Sequence, residues 1–218
     1  MLIERDDIIN HTIDRFEGGA KYTNRKSDRG GATKFGITKR TLQSYLTKAV
    51  TDKDVQNLTR ETAVKIYTEV YWNDVSCNKL PECLRCLVFD MAVNHGAGNA
   101  GRILQWGLKN MQCFAPRPDG LIGPYTLTWA RAAVEKYGAK AVLTEIVTQR
   151  KDFYENIIHL DPAQVVNHDG WINRANWFLS NMELLIPKEV DKKPPPVETK
   201  NRPGFFARLF TKQKGESK

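Results

Sequence analysis

The sequence lacks any apolar segment long enough to cross a bilayer. Its longest apolar run extends only from Cys86 to Phe89 and is stopped by Asp90, whereas a transmembrane helix needs about 18 or more apolar residues. The N-terminus also lacks the basic patch and apolar stretch of a secretory signal, since residues 4–7 are all charged. We therefore expect a protein that accumulates in the cytoplasm of the cell that makes it.

Cysteine is scarce, and its spacing does not favour a metal centre. Four cysteines occur, Cys77, Cys83, Cys86 and Cys113. Cys83 and Cys86 form a C-x-x-C pair, but they fall within an apolar helical pattern where small buried side chains are typical. A zinc site needs three or four ligands, and no second closely spaced Cys/His pair follows. We expect neither a metal nor any other cofactor.

Acidic residues are in the minority, with 25 Asp and Glu against 33 Lys and Arg. The last 31 residues, 188–218, hold nine of the basic side chains and four of the acidic ones. A basic surplus favours polyanions in general, which include nucleic acid, anionic lipid and the acidic groups of a bacterial envelope. At 41% apolar and 27% charged, the composition excludes wholesale disorder.

Apolar residues recur with the 3.6-residue period of a helix along most of residues 6–186. The expected N-caps are Asp6 or Asp7, Thr59 and Asn99, and Pro81 suits the first turn of a helix. The predicted helices cover residues 6–17, 60–71, 81–95, 99–111, 124–138, 139–159 and 169–186.

The segment 18–38 is the exception, since it holds five glycines. Two glycine pairs, Gly18-Gly19 and Gly30-Gly31, favour turns, and the alternation over 32–37 predicts a short strand or hairpin. The sequence thus predicts a mostly α fold with a small β-hairpin or irregular insert near residues 18–38.

Two carboxylates flank this insert. Glu17 stands at the predicted end of the first helix, where nearby aromatic side chains would desolvate it and raise its pKa. Asp28 lies in a polar loop that would keep it ionised, and the hydroxyl of Thr33 is placed to hold a water. Two carboxylates in unequal environments are the arrangement used for glycosidic bond cleavage. The alternative is that Glu17 is a solvated residue at a helix stop.

Motifs along the chain resemble one enzyme family. The quoted segments are Glu17-Gly18-Gly19, Asp28 to Thr38 (DRGGATKFGIT), Phe89 to Gly96 (FDMAVNHG), Ala100 to Gln105, Asp119 to Thr126 (DGLIGPYT), and Arg150 followed by Gly170-Trp171 and Arg174. In this order they resemble glycoside hydrolase family 108, a family of peptidoglycan-cleaving N-acetylmuramidases. The resemblance implies a lysozyme-like helical fold.

The resemblance also implies roles for particular residues. Glu17 is implied to be the catalytic general acid, while Asp28 and Thr33 echo the Glu…Asp…Thr triad of family 24 phage lysozymes at different spacings. The family usually has an aromatic residue where this chain has Ala20, and Tyr22 is expected to replace that contact. Candidate substrate-binding residues are Tyr22, Trp72, Asn94 and Gln105. We expect His95 to interact with its helix dipole and Arg174 to pair with an acid inside the fold.

The resemblance suggests a division of the chain into three parts. Residues 1–96 are expected to form the muramidase part and residues 97–187 a helical peptidoglycan-binding part packed with it as one body. Residues 188–218 form a Pro-rich linker and a basic tail, in which 202–214 either bind anionic lipid or lipopolysaccharide or act as a disordered solubilising terminus. We expect a monomer.

The resulting hypothesis is a phage-type endolysin. It would hydrolyse the β-1,4 bond between N-acetylmuramic acid and N-acetylglucosamine in peptidoglycan, reaching the wall in the periplasm after a membrane lesion. The alternatives are a lytic transglycosylase, which forms an anhydro sugar, and a non-catalytic wall-binding module in which Glu17 is inert. Residues 1–187 resemble no nucleic-acid-binding module, so we do not expect nucleic acid as a partner.

Overall fold

The computed structural model describes residues 1–24 and 31–188. Asp28 and the tail segment 202–214 lie outside the described residues. The described chain is mostly helical, with one two-stranded antiparallel sheet. Its elements are α1 (Arg5–Phe16), β1 (Thr33–Lys34), β2 (Ile37–Thr38), α2 (Lys39–Leu46), α3 (Asp52–Gln56), α4 (Arg60–Tyr67), a π turn (Thr68–Trp72), a 3-10 turn (Cys77–Lys79), α5 (Glu82–His95), α6 (Ala97–Asn110), α7 (Pro124–Tyr137), α8 (Ala139–Leu160), a second 3-10 turn (Pro162–Asn167), α9 (His168–Ser180) and α10 (Met182–Leu185).

The predicted fold class is confirmed. The differences from the prediction concern helix ends and two short helices. Thr59 caps α4 as predicted, but α1 is preceded by Glu4, with Asp6 and Asp7 inside its first turn. Asn99 lies within α6, because that helix begins directly after Gly96. The last predicted helix is broken at Asn181 into α9 and α10. The short helices α2 and α3 were not predicted.

Helix α5 forms the centre of the core. Nine of its residues are buried, from Cys83 to Ala92, so this helix is covered on nearly all sides as expected for a core helix. Helices α6 and α8 and the π turn pack against it. Asp90 is the charged residue among these nine, and it is fully buried.

The hairpin β1–β2 pairs Thr33 with Thr38 and Lys34 with Ile37. Its two turn residues, Phe35 and Gly36, both have positive φ (53° and 73°), as tight two-residue hairpin turns require. The hydroxyl of Tyr67 donates to the carbonyl oxygen of Phe35 at 2.9 Å. This bond holds the hairpin tip against α4.

A turn at Asp119–Leu121 is fixed to α6 through Gln105, which is 1% exposed. Its side-chain nitrogen lies within hydrogen-bond distance of three acceptors, Asp119 Oδ1 (2.8 Å), Leu121 O (3.0 Å) and Thr126 Oγ1 (3.1 Å), and its oxygen accepts from Gly120 N (2.8 Å). Gln105 therefore holds this turn, and its burial leaves almost no surface for the predicted substrate contact.

Three further findings concern the cysteines, membrane spans and metal ligands of the described residues. All four cysteines are free and buried. No described helix is both long and apolar enough to span a bilayer, and no cluster of three or more metal-ligating side chains occurs in residues 1–24 and 31–188.

Close packing of α6 on the Asp119–Leu121 turn predicts a strong effect of Gly101→Ala. A Cβ on Gly101 would overlap the carbonyl oxygen of Gly120 and lie 2.6 Å from its carbonyl carbon. We expect the free energy of unfolding to fall by about 3 kcal/mol, since overpacking forces backbone shifts. Denaturant titration measures it.

The matched control is Gly170→Ala, also a helical glycine, whose Cβ would meet nothing within 4 Å. It should leave stability unchanged or raise it by up to about 1 kcal/mol. Equal stability of the two variants would contradict the packing described here.

Candidate active site

Glu17 is placed by the end of α1. It is the C-cap residue of that helix, and the two glycines that follow have positive φ (77° and 59°), a conformation that glycine adopts at little cost. The amide of Gly19 donates back to the carbonyl of Ile13 at 2.9 Å. The chain therefore leaves the helix abruptly, and the Glu17 side chain has a fixed origin.

The hairpin tip covers one side of Glu17. A Cβ on Gly36 would lie 2.7 Å from Glu17 Cβ and 2.8 Å from Glu17 Oε2, so only glycine fits at this position. The side chain of Glu17 is 19% exposed. Burial raises the pKa of Glu17, and the charge and hydrogen bond of Arg174 offset part of that rise. The carboxyl group is thus shielded but still reaches solvent.

Arg174 joins Glu17 to the core. From α9, its Nη2 donates to Glu17 Oε1 at 2.8 Å and to Asp90 Oδ1 at 2.8 Å, and its Nε donates to both Asp90 oxygens at 3.0 and 3.2 Å. The prediction that Arg174 pairs with an acid inside the fold is confirmed. Its pKa is raised by the two carboxylates despite burial, so it stays charged.

Asp90 is bound by a second arginine. Arg150, which is fully buried in α8, places Nη2 2.7 Å from Asp90 Oδ2. Burial alone would raise the pKa of Asp90, but the charges of Arg150 and Arg174 outweigh it and hold the pKa below its ordinary value. Because Asp90 is 0% exposed and held by both cations, it acts as their counterion and cannot touch a substrate.

The polar network continues to the end of α5. Arg150 Nε donates to Tyr154 Oη at 2.6 Å, and that hydroxyl lies 3.2 Å from His95 Nε2 and 3.4 Å from Asn94 Oδ1. Burial and the nearby Arg150 lower the pKa of His95 to about 3. His95 is therefore neutral, so it adds no positive charge to the C-terminal end of α5.

A cleft of about 530 Å³ opens beside the Glu17–Arg174 pair. Trp171, which stacks on Tyr154 with ring centroids 5.2 Å apart, forms part of its wall. Arg15 also lines it, with its guanidinium 5.3 Å from the ring centroid of Trp177. The lining residues are Arg15, Phe16, Asn94, Gly170, Trp171, Asn173, Arg174 and Trp177.

The predicted site residues fall into distinct places. Asn94 lines the cleft beside Arg174. Tyr22 is half-buried against the core, in the loop after Gly19. Thr33 is in β1, where its hydroxyl donates to Gly31 O at 3.3 Å. Asp28 belongs to the segment 25–30, outside the described residues.

Trp72 does not line the cleft beside Arg174, and its burial leaves almost no surface for the predicted substrate contact. It is 1% exposed, its ring packs on Phe89 (centroids 5.6 Å apart), and its Nε1 donates to Asn78 Oδ1 at 2.9 Å. The π turn Thr68–Trp72 adds a residue to the helical turn. It therefore directs Trp72 inward, although polar Asn73 and Asp74 follow.

Sequence reasoning missed the Asp90–Arg150 pair. Asp90 appeared only as the residue that ends an apolar run, and Arg150 only as part of a motif. A lone carboxylate in an otherwise apolar helix is the signal that was available, because a buried charge requires a partner. No feature of the sequence indicated that Tyr67 would bind the hairpin tip or that Gly36 would pack on Glu17.

Comparisons with known proteins agree with this architecture. Residues 10–96 match the family Glycosyl hydrolase 108, and residues 99–176 match a family described as Predicted Peptidoglycan domain. The structure of Brucella abortus SagA is similar, with a TM-score of 0.68 and 27% sequence identity, covering 83% of this chain and 94% of SagA. No curated protein sequence matches the chain. The N-terminal part of the chain is therefore similar to Glycosyl hydrolase 108 proteins, and the segment that follows is similar to a peptidoglycan domain.

Proposed function

We propose that this protein hydrolyses the β-1,4 bond between N-acetylmuramic acid and N-acetylglucosamine in peptidoglycan, with Glu17 as the general acid. The two family matches support a glycoside hydrolase that acts on peptidoglycan. The observation that carries the finer proposal is Glu17 itself. It is a shielded carboxyl with a raised pKa, and it is hydrogen-bonded to Arg174, which lines an open cleft.

In this mechanism Glu17 donates its proton to the glycosidic oxygen as the bond to the sugar breaks. The transition state resembles an oxocarbenium ion. A second carboxylate either attacks the sugar carbon directly or activates a water that attacks it. Asp90 is excluded from that role by its burial between two arginines. We assign the water-positioning role to Asp28, assisted by the hydroxyl of Thr33, on the strength of the sequence.

Arg174 is a positioning residue for the acid. Its hydrogen bond fixes one oxygen of Glu17, and its positive charge keeps the pKa of Glu17 from rising as far as burial alone would raise it. A general acid works best when its pKa is near the working pH. Arg174 thus balances two requirements, namely that Glu17 holds a proton and that it can release one.

The biological role that fits this activity is that of an endolysin. We propose that the protein accumulates in the cytoplasm of an infected bacterium and reaches peptidoglycan through a membrane lesion. We propose that it acts as a monomer. Residues 202–214 are proposed to contact anionic lipid or lipopolysaccharide on the basis of their sequence.

Glu17→Gln should abolish hydrolysis while keeping the fold. Glutamine preserves the shape of the side chain but carries no transferable carboxyl proton, so we expect a loss of about a hundred- to ten-thousand-fold. Release of reducing muramic-acid ends from purified sacculi, identified by mass spectrometry, measures it. Anhydro ends from the wild type would instead indicate a lytic transglycosylase.

The matched control is Glu135→Gln, an exposed carboxylate on α7. It should digest sacculi at the wild-type rate. Full activity of Glu17→Gln would remove Glu17 from the mechanism, and binding without cleavage by the wild type would leave a wall-binding module.

Arg174→Gln should move the alkaline limb of the pH–rate profile to higher pH. Arg174 lowers the pKa of Glu17, so its loss raises that pKa and keeps Glu17 protonated further into the alkaline range. The kcat should fall at every pH, because Glu17 loses its hydrogen bond. Arg174→Lys retains the charge, and its alkaline limb should stay near that of the wild type. Identical limbs in wild type and Arg174→Gln would contradict the proposed coupling.

A further inference from the structure

A second cavity, of about 290 Å³, lies between α6 and α8. One wall is a stripe of α6 with the i, i+3, i+4, i+7 spacing of a single helix face, and the other is the matching stripe of α8. The lining residues are Asn99, Arg102, Ile103, Trp106, Gln149, Phe153 and Asn156. All seven belong to the segment that matches the peptidoglycan domain.

The lining has the chemistry of a saccharide site. Trp106 and Phe153 supply flat aromatic surface, which packs against apolar C–H faces. Three carboxamides also line it. The side-chain nitrogens of Asn99 and Gln149 donate within the fold, which leaves their oxygens as acceptors, and Asn156 supplies both a donor and an acceptor for hydroxyl and N-acetyl groups. Small-molecule sites combine an apolar wall with a few convergent polar groups in this way. The volume suits one sugar unit rather than a folded partner.

Arg102 adds a preference for an acidic ligand. Its side chain is exposed, and within the described residues it forms no ion pair at contact distance. An electrostatic partner is Asp119, whose pKa is lowered mainly by hydrogen bonds from Gln105 and Leu121 and in smaller part by the charge of Arg102. A guanidinium recognises a carboxylate through paired hydrogen bonds. An amino sugar with an acidic substituent satisfies the aromatic, carboxamide and cationic parts of the cavity together.

The cavity lies near the catalytic network but is separate from the cleft beside Glu17. Phe153 packs on His95 with ring centroids 5.2 Å apart, and Asn99 donates to the carbonyl oxygen of His95 at 3.0 Å. Asn94, the neighbour of His95, lines the cleft beside Glu17. Both cavities thus flank the C-terminal end of α5, where one polymer strand can contact them.

We propose that the cavity between α6 and α8 binds a muramic acid unit of the peptidoglycan strand, with Arg102 on its acidic substituent and Trp106 against the sugar ring. This site holds the strand at a position other than the bond being cleaved. The inference rests on the proposed function, since it takes peptidoglycan as the polymer.

Binding to purified sacculi tests the site, with Glu17→Gln as the parent so that binding is measured without digestion. Adding Arg102→Gln or Asn156→Ala should weaken sacculus affinity roughly three- to tenfold each, the effect of one lost hydrogen bond. Arg117→Gln removes an exposed cation outside the cavity and is the matched control. It should stay within twofold of the parent. Thermal melts establish that every variant is folded.

A second measurement locates the ligand within the protein. The indole N–H signal of Trp106, assigned in an NMR spectrum by its loss in Trp106→Phe, should shift when a soluble muropeptide is added. Neutral chitotriose should shift it less, and Arg102→Gln should remove the difference between the two ligands. Shifts confined to Trp171 and Trp177 would place the ligand only in the cleft beside Glu17 and overturn the proposal.

The two proposals fail in different ways. If the wild type releases no reducing ends but sacculus binding depends on Arg102, the hydrolytic function fails and the cavity stands. If the wild type cleaves sacculi but Arg102→Gln and Asn156→Ala bind like the parent, the cavity proposal fails and the hydrolytic function stands.

Discussion

The ion pairs among Glu17, Arg174, Asp90 and Arg150 are the interaction on which the rest of the structure depends. They join α1, α5, α8 and α9 at one point. Charges this deeply buried are costly unless they are paired and hydrogen-bonded. Each arginine here serves as the partner of Asp90, and one of them extends to the proposed acid. The same contacts that satisfy the core therefore set the position of Glu17.

This network also crosses the boundary between the two family matches. Glu17 and Asp90 lie in the hydrolase domain, whereas Arg150 and Arg174 lie in the peptidoglycan domain. The hydrolase domain alone would leave Asp90 buried without a cation. In this chain the second matched segment thus supplies both cations that pair with Asp90, and one of them also binds Glu17.

The sequence was sufficient for features that depend on local order. Helical periodicity, glycine pairs and the Glu17-Gly18-Gly19 segment predicted most helices, the hairpin and the candidate acid. Contacts between residues far apart in the sequence could not be predicted. Arg174 contacts Glu17 across 157 positions of sequence, and the shielding of Glu17 depends on where Gly36 packs. The burial of Trp72 has a local origin, because the π turn Thr68–Trp72 changes the direction in which its side chain leaves the helix.

The net charge of the Glu17 network changes during the proposed reaction. With Glu17 ionised, two carboxylates balance two guanidinium groups, and these four groups together are neutral. In the proposed mechanism Glu17 starts protonated, so Asp90 alone faces both arginines and the four groups carry one net positive charge. The form proposed to react is then also the form with the stronger attraction for an acidic polymer. In this mechanism, delivery of the proton to the leaving oxygen returns the four groups to neutrality and weakens that attraction as the bond is broken.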